Sequence, residues 1–187
     1  MPDIHLATTD ADILRCFPVL HQLRPYLSEA DFVARIRAQQ AEGYHLACLE
    51  HRDGQDPQRE GAGTVTSVAG FRTQHMLVTG KTLYVDDLVT DSAARSHGHG
   101  KAMLDWLIAY ARATACSAFS LDSGTHRHDA HAFYLRERLR ITSFHFTLPC
   151  RRGTLALVEG ERHVPAHVLW AGRVSQVATP ESEQGTG

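Results

Sequence analysis

Arg95-Ser96-His97-Gly98-His99-Gly100-Lys101 is the stretch whose reading decides this chain. A strand-like run, Leu83-Tyr84-Val85-Asp86-Asp87-Leu88-Val89-Thr90, precedes it, and a helix-like run from Ala102 to Thr114 follows. Strand, glycine turn and helix N-terminus in that order make a site for an anionic group. Gly98 and Gly100 can take φ > 0 and let a ligand come close to the backbone. The first helical N–H groups have no partner within the helix, and the positive end of the helix dipole lies behind them. Arg95 adds a fork of donors suited to phosphate oxygens. The spacing is Arg-x-x-Gly-x-Gly. It is neither the glycine pattern of a dinucleotide fold nor that of a P-loop.

Outward from this stretch, the pattern falls into short elements. Ile4 to Ala7 reads as a first strand. A helix is expected from about Asp12, with Pro18 interrupting it or sitting in its first turn. Ser28-Glu29-Ala30-Asp31 has the form of a capping box before a second helix marked by Phe32, Ile36 and Ala41, with Gly43 as its stop. Tyr44 to Glu50 and Thr64 to Phe71 read as strands, separated by the polar, glycine-rich segment 52–63. After the loop, Met103, Leu104, Leu107, Ile108 and Ala111 recur at helical spacing and form a face that packs on a sheet. Ala118 to Leu121 reads as a strand and His128 to Arg136 as a helix. Ile141 to Leu148 alternates, with Phe144, Phe146 and Leu148 on one side, as a half-buried strand does. The order β-α-α-β-β-β-α-β-α-β predicts an α/β (α+β) fold. Its mixed, mostly antiparallel central sheet is flanked by helices on both faces.

The 187 residues fit one domain over 1–149, followed by a C-terminal extension over 150–187 that is expected to be partly ordered and then disordered. In that extension Trp170 lies among apolar neighbours. Packing within the chain and packing across a homodimer are both compatible with it. A formal charge of −2 gives no bulk drive toward nucleic acid or an anionic membrane. Cys16, Cys48, Cys116 and Cys150 are widely spaced, and each reads as a small buried apolar residue rather than a ligand. No signal-peptide pattern opens the chain and no apolar run approaches a membrane span, so a cytoplasmic protein is the expectation.

The element order and the Arg-x-x-Gly-x-Gly motif together resemble the GNAT family of acyl-CoA-dependent N-acetyltransferases. A second piece, Ala130-His131-Ala132-Phe133-Tyr134, resembles the family's Ala-x-x-Phe-Tyr signature on its last helix. A third, Asp86-Asp87-Leu88-Val89, resembles the end of its fourth strand. The match is good over Leu83 to Leu148 and rests on element order alone before that. One departure is that Arg138 stands where the family often has glycine. A turn needing φ > 0 is strained there.

The resemblance implies acetyl-CoA as cosubstrate and a small-molecule or peptide amine as acceptor. The backbone of Arg95, Ser96, His97, Gly98, His99, Gly100 and Lys101 would cradle the pyrophosphate. Leu88, Val89 and Thr90 would offer backbone hydrogen bonds to the pantetheine arm. Tyr134 resembles the family's general acid at the leaving sulfur. Candidates for the base that takes the amine proton are Asp86, Asp87, His131 and His145. In a regular strand Asp86 and Asp87 point to opposite faces, so only one would face the substrate. The acceptor would enter beside Tyr26, Glu29, Asp31 and Phe32, although Glu29 and Asp31 also suit a first helical turn. The thirteen histidines invite a metal reading, densest at His97-x-His99 and His126-x-His128-x-x-His131. Backbone contacts to phosphate need neither of the loop histidines, and no metal is expected. A non-catalytic acyl-CoA-binding or regulatory domain on the same fold is the alternative.

Overall fold

A computed structural model describes residues 3–51 and 63–148, and these belong to one compact unit. The predicted C-terminal extension, with Cys150 and Trp170, lies outside the described residues. Five strands form one sheet in the order β1-β2-β3-β4-β5. They are β1 (Asp3–Leu6), β2 (Tyr44–His51), β3 (Thr64–Met76), β4 (Gly80–Thr90) and β5 (Ala118–Leu121). The first four pair antiparallel, and β5 joins β4 in parallel. Helices α1 (Asp10–Leu23) and α2 (Glu29–Ala41) follow β1, α3 (His99–Ala113) crosses over from β4 to β5, and α4 (His128–Arg136) closes the series.

Strand alternation divides the core between the two faces of the sheet. Leu46, Cys48 and Val68 meet Ile13, Cys16, Val19 and Leu20 of α1 and Phe32 and Ile36 of α2. Leu49, Phe71, Leu83 and Val85 meet Met103, Leu107 and Ala111 of α3. Each buried Val, Leu, Ile, Phe or Met among them contributes roughly 1.5–3 kcal/mol by leaving water.

Four local readings need correction. Pro18 lies inside α1, which runs on without a break. Pro18 is exposed and flanked by buried Val19 and Leu20, so the cost of about 3 kcal/mol falls on the solvent side while packing holds the helix. Ser28 occupies the N-cap of α2 without capping it. The reciprocal capping box forms one helix earlier, between Thr9 and Asp12, with both bonds at 3.1 Å. Phe32 is fully buried in the core and cannot touch an acceptor. Residues 141–148 form no strand. Ile141, Phe144, Phe146 and Leu148 are all strongly exposed, and no strand among the described residues pairs with this segment.

Two helices end in a left-handed residue other than glycine. Arg138 has φ 67° and Ala115 has φ 56°. After α4, Leu139 N–H reaches the Tyr134 carbonyl and Arg138 N–H the Leu135 carbonyl, both at 3.0 Å. That is a Schellman motif with arginine in glycine's place. The strain expected at Arg138 is therefore present, and the turn keeps its shape.

Candidate active site

The site begins where β4 loses a neighbour. β5 pairs only with Thr82–Val85. Beyond Val85, the edge of β4 turned away from β3 has no strand on it among the described residues. Leu88, Val89 and Thr90 lie on this stretch, so their backbone is available to an extended ligand.

A bulge interrupts β4 at the same point. Gly70 faces Asp87 and Phe71 faces Val85, which leaves Asp86 as the extra residue. Val85 and Leu88 belong to the α3 side of the core, and Val89 to the α1/α2 side. The inserted residue therefore puts both Asp86 and Asp87 on the α1/α2 face. The expectation of opposite faces is corrected, since it assumed a regular strand.

The two carboxylates are gripped by groups from distant parts of the chain. Arg24 Nε donates to Asp87 Oδ1 at 2.8 Å, and its Nη2 reaches the Asp86 carbonyl at 3.3 Å. The Tyr44 hydroxyl donates to Asp87 Oδ2 at 3.3 Å. Tyr44 sits on β2 and Asp87 on β4, so this bond spans β3. It passes over Gly70, where any Cβ would overlap the Tyr44 hydroxyl. Arg72 Nε donates to Asp86 Oδ2 at 2.9 Å, and its guanidinium lies over the Tyr44 ring, 5.6 Å from the centroid. Both oxygens of Asp87 are thus taken, while Asp86 has a partner on one. Burial raises the Asp86 carboxyl above its ordinary range. Arg72 opposes this, and the charge of Asp87 adds to it.

Tyr84, two residues before Asp86, extends the polar chain. Its hydroxyl donates to Asp122 Oδ2 at 2.7 Å, and His145 Nδ1 lies 2.7 Å from the same oxygen. Burial, followed by the Asp122 hydrogen bond, pushes the Tyr84 phenol up. His145 therefore reaches β4 at Tyr84 through one intermediary, Asp122, and has no described contact with Asp86 or Asp87. His131 makes a ring contact with His128 on its own helix and no described contact with the β4 carboxylates. Tyr134 is half-buried on α4, and burial raises its phenol against the pull of Arg127. Its phenol is therefore protonated at neutral pH.

The loop is tied to α1 at its start. Gln22 Oε1 accepts from Ser92 N–H at 3.0 Å, and Gln22 Nε2 donates to Asp91 Oδ1 at 3.3 Å. A single 3-10 turn follows over Ser92–Ala94. Ser96 and Gly98 then take φ 64° and 83°, and α3 begins with no side chain capping it. The two glycines have different jobs. Gly98 needs its backbone angle, since a Cβ there would meet nothing within 4 Å. Gly100 needs its small size, since a Cβ there would lie 3.0 Å from Thr90 Oγ1. The Arg95 side chain is exposed and has no ion pair among the described residues. Lys101 is otherwise engaged, with Nζ 2.8 Å from Asp105 Oδ2 and 3.4 Å from Glu137 Oε2. His97 Nδ1 folds back to the Arg95 carbonyl at 2.7 Å. His99 Nδ1 meets Thr66 Oγ1 at 3.2 Å, and burial lowers its pKa.

The sequence matches the profile of the Acetyltransferase (GNAT) family over residues 10–138. This chain belongs to the GNAT acetyltransferase family. The acetyltransferase is 30% identical over 128 residues to the uncharacterized N-acetyltransferase YhdJ of Bacillus subtilis, covering 68% of this chain and 83% of that one. Its fold is similar to that of glucosamine-6-phosphate N-acetyltransferase from Arabidopsis thaliana. There the TM-score is 0.62 at 18% identity, covering 81% of this chain and 99% of the other. It is also similar to AAC(6')-Iy in complex with the bisubstrate analog CoA-S-monomethyl-acetylneamine, with TM-score 0.65 at 13% identity and 81% and 99% coverage. The mixed α/β fold expected of such an acetyltransferase is thus the observed one. No helix among the described residues is long and apolar enough to cross a membrane.

The sequence reading missed Arg24, Tyr44, Arg72, Tyr84 and Asp122. Tyr84 carried a faint signal, being two residues from Asp86 on the same strand. The others lie far apart along the chain: sheet register brings Tyr44 and Arg72 beside β4, while Arg24 comes from the end of α1 and Asp122 from just past β5.

Proposed function

We propose that this acetyltransferase transfers the acetyl group of acetyl-CoA to a primary amine by direct attack, through a tetrahedral intermediate. The observation that carries the proposal is the departure of β5 from β4 after Val85, beside an uncapped glycine loop at the start of α3. A free strand edge suits the pantetheine amides, and the helix N-terminus suits the pyrophosphate. Arg95 is the charged side chain assigned to the phosphates. Lys101 is left to its carboxylate partners.

The same end of β4 carries the acidic pair. A backbone N–H on the open edge would face the thioester oxygen and stabilise the oxyanion as it forms. Asp86 is the preferred base, because one of its oxygens is unclaimed among the described residues and its proton affinity is raised. It takes a proton from the acceptor ammonium, directly or through water, and the neutral amine so formed attacks the thioester carbon. Asp87, held by Arg24 and Tyr44, positions the bulge instead. The Tyr84–Asp122–His145 chain has no hydrogen bond to Asp86 among the described residues, so the proton leaves Asp86 to solvent through water. Tyr134 protonates the departing thiolate. The acceptor, a small molecule or a peptide, approaches from the α1/α2 face, where acidic charge favours a cationic amine.

Thermal melting with acetyl-CoA tests the donor. A ligand at a hundred times its Kd adds about 2.7 kcal/mol to native stability, so the melting temperature rises. Folded protein with an unmoved transition at millimolar acetyl-CoA sinks the assignment. An acceptor screen following CoA release then names the amine class.

A further inference from the structure

Among the described residues, neither histidine run that drew attention in the sequence brings three ligand atoms together. One group does so, on the opposite side of β3 from β4. His5, Cys48 and Glu50 each place a ligand atom within 4.8 Å of the other two. We propose that His5 Nε2, Cys48 Sγ and a Glu50 carboxylate oxygen bind a divalent cation of the zinc type, a site separate from the acetyl-transfer machinery.

Sheet register builds the group. Asp3 pairs with Glu50 and His5 with Cys48, so these four side chains form a two-by-two patch on one face. That face is covered by α1, which contributes Arg15 and Cys16. One ring nitrogen looks at both other donors. His5 Nε2 is 3.4 Å from Cys48 Sγ and 3.5 Å from Glu50 Oε1. Tetrahedral zinc, with bonds of about 2.3 Å to sulfur and about 2.0–2.1 Å to nitrogen and oxygen, sets such edges at about 3.6 and about 3.4 Å. These two edges fit to within a few tenths of an ångström, and the third, from Cys48 Sγ to Glu50, lies within 4.8 Å. A nitrogen shared between a thiol and a carboxylate can serve only one of them as a hydrogen bond, whereas a cation serves both.

The surroundings suit an ion. Asp3 Oδ1 lies 3.9 Å from His5 Nδ1, on the far side of the ring, where a ligating histidine is usually steadied by a carboxylate. Arg15 Nη1 sits 2.7 Å from Glu50 Oε1 and acts as an outer hydrogen-bond donor to a ligating carboxylate. With Cys48 as thiolate, the charges of Asp3, Cys48, Glu50, Arg15 and a divalent cation sum to zero. The Cys48 proton is released to solvent on binding. The His5 side chain is 37% exposed and gives the ion a way in, with water at the fourth position. The ion would clamp the four-residue edge strand β1 to β2. This departs from the expectation of no metal. It also gives Cys48, read from sequence as an apolar filler, a chemical task.

Cobalt(II) titration of the full-length, untagged, metal-stripped protein tests the site. One equivalent should raise a thiolate-to-cobalt charge-transfer band with tetrahedral d–d bands, and zinc should displace them. Cys48→Ala and the half-exposed His5→Gln should each lose the band. The Cys116→Ala/Cys150→Ala double variant should keep it. Asp3→Asn should bind roughly 10-fold more weakly, as expected for loss of an outer partner. Absence of the band in folded wild-type protein overturns the proposal. So does its persistence in Cys48→Ala, or unchanged affinity in folded His5→Gln.

Discussion

The two halves of the candidate active site are built from different material. On the donor side, consecutive residues act through their backbone, from the open edge of β4 through Gly98 to the first turn of α3. On the acceptor side, side chains from α1, β2, β3 and β4 converge on two carboxylates. On the proposed reading the donor half binds a fixed cosubstrate with groups that every sequence possesses, so glycine and helix position matter more than side-chain identity. The acceptor half does its work with side chains that can be exchanged one at a time. Binding of the donor and choice of the acceptor are therefore separable by mutation.

The largest test concerns the chemistry between the halves. Tyr134→Phe should slow turnover by roughly 10²–10⁴-fold with little change in the Michaelis constant for acetyl-CoA. Unaltered kcat would remove Tyr134 from the acid role. Next, Asp86→Asn should lower kcat by about 10²-fold. In the parent protein the base must be ionised. Activity should therefore fall as pH drops through the Asp86 pKa, which lies above the usual carboxylate range of about 3.9. A pH–rate profile whose acidic limb survives in Asp86→Asn would shift the role to another group.

A smaller effect isolates the donor half. Arg95→Ala should raise the acetyl-CoA Michaelis constant about tenfold, the equivalent of about 1.4 kcal/mol, and leave kcat alone. A matching loss in kcat would blur the distinction between the halves. The smallest concerns the frame rather than either half. Arg138→Gly relieves a left-handed arginine at the end of α4 and should add about 1 kcal/mol of stability. Denaturant unfolding measures it, and a loss of stability would contradict the strain.

The same division explains what was legible in the sequence. The loop, α3 and the strand before it could be read because their signals are contiguous. Phe133 and Tyr134 could be read because a short signature carries them. The acceptor face could not be read, because one inserted residue at Asp86 put both carboxylates on the same face and no local pattern marks a bulge. Arg24 and Asp87 are paired by the packing of the end of α1 on the sheet, not by spacing. At the last segment the pattern itself misled. Residues 141–148 alternate as a strand does, yet a strand is defined by its neighbour.

Gly70 carries a consequence for the lineage of this chain. Its missing side chain is the gap through which a β2 tyrosine meets a β4 aspartate. A relative with any larger residue there cannot keep Tyr44 and Asp87 as they stand here. The three positions should therefore change in concert among relatives, and a glycine at this place marks those that share this acidic face.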